Sequence, residues 1–286
     1  MNRRRFLSIA AAATTLGPAG LSAASEGAPE VRWSGVALGA RASITLRGPG
    51  GETALAHALA ALETAEAEFS LYRPDSALAR LNGEGRLRPS PTFRRLMAIC
   101  RRLHRDAEGL FDPTVQSLWR ALATGGDSRL AAETVGFERI AFGDDIVLAP
   151  GQQLTLNGVA QGFATDLAAE ALMEAGFANA LTNIGEFRAL AGDWRIGVAA
   201  SDGRLLDVVD LSGGAVATSS PGAMTVGGRS HILAPDGRPP IWSTVSVRAP
   251  SAAIADGLST ALSLARRSEI DAIGERFENT RISTWL

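Results

Sequence analysis

The chain contains no lysine, and all 28 of its basic residues are arginines. Schiff-base chemistry, a lysine general base and a P-loop are therefore excluded. A single cysteine, Cys100, rules out an intrachain disulfide and any cysteine-based zinc or iron–sulfur centre. It remains compatible with an oxidising compartment, because one thiol cannot mispair within the chain. Histidine is limited to His57, His104 and His231, and tyrosine to Tyr72, so an imidazole base or a phenol at any site must be one of these. Positive charge is not in excess either. The formal net charge is −2, which argues against a nucleic-acid partner.

What is present is a chain of 286 residues, 46% hydrophobic and 20% charged, long enough for one large domain or two intimate ones. Arg3-Arg4-Arg5-Phe6-Leu7 opens an apolar run that ends near Ser22-Ala23-Ala24. This reads as a signal peptide over residues 1–24. The Arg-Arg-x-Phe-Leu order resembles a twin-arginine export signal and predicts a periplasmic protein. Left uncleaved, the leader would anchor the protein at the inner membrane, although the run is shorter than the ~20 residues of a full span.

From residue 31 onward the patterning predicts an α+β fold. Residues 31–47 read as two strands around a Gly39 turn, and Leu55, Leu59, Leu62 and Phe69 share one helical face. Ser90-Pro91 caps a helix that buries Phe93, Leu96, Cys100 and Leu103 and closes at Gly109, while Asp112-Pro113 looks like a second such start, for a helix through Trp119. A hairpin is expected around Gly143-Asp144-Asp145 and a strand at Leu154–Leu156. Helices are expected from Val159 to Glu174 and from Ser251 to Arg267, and a closing strand from Arg281 to Leu286. Strands and helices do not alternate strictly, which favours α+β over a doubly wound sheet. His57 and His104 fall on polar or boundary helix faces and are expected to be solvated.

Four places carry possible chemistry, each with a plainer alternative. Asn157-Gly158-Val159-Ala160-Gln161-Gly162 is a turn into a helix, suited to phosphate through free N–H groups and the helix dipole, or simply a tight packed turn. Asp256 and Thr260, spaced i and i+4, present a carboxylate and a hydroxyl on one helix face for a hard cation such as Mg²⁺, or Asp256 is a buried group with an internal partner. His231 is either a general base or a satisfied strand histidine. Tyr72, at a turn, either stacks on a flat ring or packs on its own loop.

Five blocks, FSLYRPDSALARLN (69–82), GLFDPTVQSLW (109–119), LTLNGVAQGFATDLAAEALMEAGFANALTNIGEF (154–187), SHILAPDG (230–237) and VRAPSAAIADGLSTALSL (247–264), together resemble the ApbE-type FAD:protein FMN transferases in order and spacing. The resemblance covers nearly the whole chain after the leader. It implies one catalytic unit over residues 31–286, a mixed and mainly antiparallel sheet with flanking helices, and an FAD cleft between two intimate lobes. It further implies Mg²⁺-dependent transfer of FMN from FAD to a Thr or Ser hydroxyl of an acceptor flavoprotein, with release of AMP. Members with twin-arginine signals, the NosX group, are associated with the membrane flavoprotein NosR, which makes a NosR-like protein an expected acceptor.

Carried over by position, the resemblance implies that Tyr72 stacks on the isoalloxazine and that Asp256, Thr260 and the carbonyl of Ala160 hold the metal. Asp112, Gly158, Ala160, Gln161, Gly162, Asp166, Asn183, Gly185 and Ser219 fall on cofactor-binding positions, and His231 near the reacting phosphate, as the catalytic residue. The chain departs from the family pattern at several of these places. Gln161 replaces a lysine, Asn183-Ile184-Gly185-Glu186-Phe187 stands for Asn-x-Gly-Gly-Asp, Ser219-Ser220-Pro221 for Ser-Gly-Asp, and Ala234 for an aspartate. Two alternatives follow from these changes: an FAD pyrophosphatase giving FMN and AMP, or an accessory protein that binds FAD and leaves it intact.

Overall fold

The computed structural model describes residues 13–15 and 29–286; the rest of the expected leader lies outside the described residues. The element order is β1 (Ala13–Thr15), β2 (Glu30–Ala37), β3 (Ala40–Arg47), α1 (Gly51–Phe69), α2 (Ala77–Glu84), β4 (Arg86–Leu87), α3 (Pro91–Asp106), α4 (Gln116–Thr124) and α5 (Ser128–Ala132). It continues through β5 (Ala141–Phe142), β6 (Ile146–Val147), α6 (Ala160–Glu174), β7 (Ala180–Asn183), β8 (Phe187–Ala189), β9 (Trp194–Ala199), β10 (Leu205–Leu211) and β11 (Gly214–Ser219). The chain ends with β12 (Thr225–Val226), β13 (Arg229–Ser230), β14 (Thr244–Ala249), α7 (Ala252–Leu262), α8 (Arg267–Gly274) and β15 (Arg281–Trp285).

Seven strands form the central sheet in the order β15-β14-β11-β8-β7-β3-β2, with every neighbouring pair antiparallel. Among the described residues the isolated bridge Val115–Gln153 is the parallel contact. Register sets the two faces. Ile44 lies opposite Thr182 and Leu46 opposite Ala180, so these residues point to one side while Leu181 points to the other. On the first side α1, α6 and α7 cover the sheet, with α3 against α7, and Ile44, Leu46, Phe69, Phe93, Phe163, Val245, Val247 and Leu258 share one core. On the second side Leu181, Phe187, Trp194, Ile196, Leu211 and Val216 form a smaller core with the β9–β10 strands, on which β1 also pairs. The α+β expectation therefore holds. No helix among the described residues is long and apolar enough to cross a membrane.

Helix α3 follows the capping logic read from its sequence. The Ser90 hydroxyl accepts from the Phe93 N–H, Pro91 occupies the first turn, and the buried face is Phe93, Leu96, Met97, Cys100 and Leu103. Burial pushes the Cys100 thiol well above the usual range, so it packs as an inert apolar group.

Four expectations fail, each for a local reason. Asp112-Pro113 does not start a helix: Asp112 Oδ1 accepts from the Thr114 N–H and hydroxyl and Oδ2 from the Phe137 N–H, which folds 112–115 into a turn and delays α4 to Gln116. Leu154–Leu156 is not a strand, because Asn82 takes both the N–H and the C=O of Leu154 in side-chain bonds of 2.7 and 2.8 Å. The helix expected through Arg267 stops at Leu262. Ala265 O accepts from the Trp242 indole, and α8 restarts once the Arg266 N–H has met the Glu269 carboxylate. Finally, His104 is half-buried rather than solvated, with Nδ1 on Phe111 O and its ring 5.0 Å from that of Phe137.

The β2–β3 connection bears on the site. Its two central residues, Leu38 and Gly39, both have positive φ (47° and 77°), the backbone of a type I′ hairpin. A leucine there is unfavourable and must be held. The Leu38 N–H donates to the Glu66 carboxylate on α1, and its carbonyl accepts from Gln161 on α6 at 3.5 Å.

Candidate functional site

A cleft of ≈370 Å³ opens where the helical layer meets the ends of the central strands. Its walls come from the loop after α1 (Leu71, Tyr72), the segment Leu110–Trp119, the turn into α6 (Thr155–Gln161), the strand ends at Glu186 and Thr218–Ser220, the loop from Ala223 to Leu233, and Asp256 and Thr260 on α7. A wider, shallower depression of ≈680 Å³ over Asn82–Arg86, Arg120 and Pro150–Gln153 gathers no comparable set of groups.

The floor is built by α6 and α7. Leu156 O accepts from the N–H groups of both Val159 and Ala160, which turns the chain into α6. One turn on, the Gly162 N–H donates to Asp256 Oδ2 at 3.0 Å. The helices meet so closely there that a Cβ on Gly162 would lie 2.3 Å from Ala252 O, and one on Gly158 would lie 3.0 Å from Thr260 Oγ1. Asp166 sits deeper. Its Oδ1 accepts from Arg188 at 2.5 Å and from the Ala252 N–H, and its Oδ2 from the Ser251 hydroxyl and the Ala253 N–H. A buried carboxylate at the first N–H groups of α7 complements the helix dipole and sets where that helix begins.

Asp256 is 4% exposed, and burial pushes its carboxyl up to about 7, helped by the nearby charge of Asp166 and opposed by the Gly162 N–H. Glu186, 5% exposed, is likewise driven well above the usual carboxylate range by burial and by the charge of Asp256. Its Oε2 accepts from the Thr218 N–H at 3.1 Å. Beside it, the Ser219 and Ser259 hydroxyls pair at 2.7 Å and tie β11 to α7. His231 is half-buried, which holds its imidazole below the usual range. Its Nδ1 contacts Met224 O at 3.2 Å. A carbonyl only accepts, so Nδ1 carries the proton and the neutral ring keeps its Nε2 lone pair.

Tyr72 stands at the mouth, 57% exposed, with its ring against Gly39, where an added Cβ would lie 3.2 Å from the ring edge. Together with Asp112, Gly158, Gln161, Ser219, His231, Asp256 and Thr260 it lines the cleft. The other positions singled out in the sequence do not. Ala160 and Gly162 are buried beneath the lining, and Asp166 bonds the start of α7 and Arg188. Asn183 closes an Asx turn on the Gly185 N–H, and Gly185, at φ 99°, makes room for the Gln161 side chain. Asp112 reaches the cleft wall, but its oxygens are engaged with Thr114 and Phe137.

Glu186 is the residue that sequence reasoning missed. It read as one of several departures from a pattern, although a carboxylate set between Ile184-Gly185 and Phe187 is itself a signal for a buried functional acid. A second group of potential ligands, His104, Asp112 and Glu138, has its donor atoms within 4.8 Å of one another. Hydrogen bonds already engage His104 Nδ1 and both Asp112 oxygens, so this cluster acts as a latch between the 104–114 and 137–138 segments.

The ApbE family profile matches residues 38–282. A search of curated proteins returned no match. Among solved structures, the flavin transferase ApbE from Vibrio cholerae is 25% identical, with a TM-score of 0.77 over 90% of this chain and 94% of that one. The apo form of the Pseudomonas stutzeri flavinyl transferase ApbE is 26% identical, with a TM-score of 0.76 over 90% and 95%. The Thermotoga maritima ApbE protein shares the fold at 23% identity, with a TM-score of 0.78 over 90% and 97%. With the profile spanning most of its length and the same architecture in these structures, the chain belongs to the ApbE family.

Proposed function

We propose that this protein is a flavin transferase that moves FMN from FAD to a Thr or Ser hydroxyl of an acceptor flavoprotein and releases AMP. The observation that carries this reading is the charge of the cleft. Its lining offers an exposed aromatic ring, a half-buried histidine and three buried carboxylates, Asp112, Glu186 and Asp256, and it contains no arginine. A pyrophosphate cannot enter such a site unless a cation accompanies it. The donor set fits Mg²⁺: Asp256 Oδ1 and the Thr260 hydroxyl face the cleft without a protein partner among the described residues, and glycine at 158 leaves space over Thr260. The backbone carbonyl of Ala160 is the third candidate ligand. When bound, Mg²⁺ supplies charge neutralisation for the pyrophosphate oxygens and the departing phosphate.

The protein's own residues divide the remaining work. Tyr72 offers a face for the isoalloxazine, and Asp256 and Thr260 position the diphosphate end. His231 Nε2 accepts the proton of the acceptor hydroxyl as its oxygen attacks the FMN phosphorus and the bond to AMP breaks. Two relatives known as flavin or flavinyl transferases, at 25% and 26% identity over most of both chains, support this reading. The Arg3–Leu7 leader supports action outside the cytoplasmic membrane, on a periplasmic domain such as that of a NosR-like protein.

Incubation with FAD, Mg²⁺ and a candidate acceptor domain should give a fluorescent flavin band on a denaturing gel. Loss of that band on chelation, and a large drop in rate for His231→Ala, are the expected controls. Free FMN and AMP without a labelled acceptor would replace the transferase by a pyrophosphatase. FAD recovered intact with every acceptor would leave an accessory flavin-binding protein.

A further inference from the structure

We propose that Glu186 is a second carboxylate ligand of the cation site formed by Asp256 and Thr260, so that this chain holds a divalent cation before any flavin arrives. The inference rests on the cation-site reading above and deepens it. Glu186 reaches the cleft from the β7–β8 connection and Asp256 from α7, on two elements joined through adjacent bonds: Glu186 to the Thr218 N–H, and Ser219 to Ser259. Each carboxylate uses one oxygen for a backbone N–H, Glu186 Oε2 for Thr218 and Asp256 Oδ2 for Gly162. The second oxygen of each has no hydrogen-bond partner among the described residues and borders the cleft, although both side chains are more than nine-tenths buried.

With an open oxygen on each and no guanidinium in the lining, the two buried acids can be ionised together only at high cost unless a cation lies between them. Arg188, two residues along from Glu186, is engaged with Asp166. The same physics bears on the altered turn. Gln161 is neutral and folded against Gly185 and the Leu38 carbonyl, so it supplies no charge to offset the acids. Two hard, anionic oxygens and a hydroxyl, supplied by α7 and the β7–β8 connection, make a stronger site than one carboxylate alone, because divalent-cation affinity rises with ligand charge.

The test is Mn²⁺ binding to the flavin-free protein, followed by electron paramagnetic resonance and repeated by Mg²⁺ competition, on the parent and on Glu186→Gln. Glutamine keeps an acceptor for the Thr218 N–H, so the fold is retained, and circular dichroism with thermal denaturation checks this. The parent should bind Mn²⁺ without FAD, and Glu186→Gln should bind it about tenfold more weakly or worse. Equal Mn²⁺ affinity in the two proteins, or no Mn²⁺ binding by the parent, would overturn the inference. If Mn²⁺ binding depends on Glu186 but no acceptor is ever flavinylated, the cation site stands and the transferase reading falls.

Discussion

Asp256 shows how one buried side chain couples stability to ligand. Its carboxyl titrates near pH 7 in the folded protein, against about 4 in an unfolded chain. Below about pH 4 it is protonated in both states. Between about pH 4 and pH 7 the unfolded chain ionises while the folded protein does not, so metal-free stability falls as the pH rises through that window. The effect is on the order of a few kcal/mol. In chelator the melting temperature of the parent should be lower at pH 8 than at pH 5, and Asp256→Asn should flatten part of that slope. Glu186, raised in the same direction, accounts for slope that remains. Added Mg²⁺ should lift the parent at pH 8 and leave Asp256→Asn almost unmoved.

At the scale of elements, the site depends on the closeness of α6 and α7. Gly162→Ala would put a methyl group 2.3 Å from a backbone oxygen and 2.8 Å from Asp256 Cβ, so the helices must part. Gly257→Ala meets the end of the Leu103 side chain at 2.2 Å, and a leucine can change rotamer where a backbone cannot. We expect Gly162→Ala to cost about 3 kcal/mol or more and Gly257→Ala clearly less, measured as denaturant midpoints at equal m-values. Legibility in the sequence followed the same division. Helices with their own caps and a clear apolar face, such as α3, were readable, as was the β2–β3 hairpin. What misled was structure fixed by distant side chains: Asn82 occupying the backbone of Leu154, and Phe137 drawing Asp112 out of a cap. Asp166 was hidden for the same reason, since its partners Arg188, Ser251, Ala252 and Ala253 lie 22 to 87 positions away. The motif blocks located the cleft, but which of their residues face it depended on helix packing.

For the whole molecule, the proposed cation site draws on α6, α7 and the ends of the central strands, so it would exist only once the full sheet and its helical layer have assembled. That requirement agrees with the proposal that the leader directs export of the folded protein. Replacing Arg3 and Arg4 by lysine should leave the protein in the cytoplasm, read by fractionation against periplasmic markers, whereas a general secretory leader would tolerate that change.

The position of Tyr72 has an analytical consequence. It is the only phenol in the chain, it stands mostly exposed at the mouth of the cleft, and its ring edge lies against Gly39. Phenol-directed nitration therefore has a single tyrosine to modify, and mass spectrometry of one peptide becomes a direct gauge of whether the mouth is covered. A flavin ring seated there would protect it, so occupancy can be followed without any turnover.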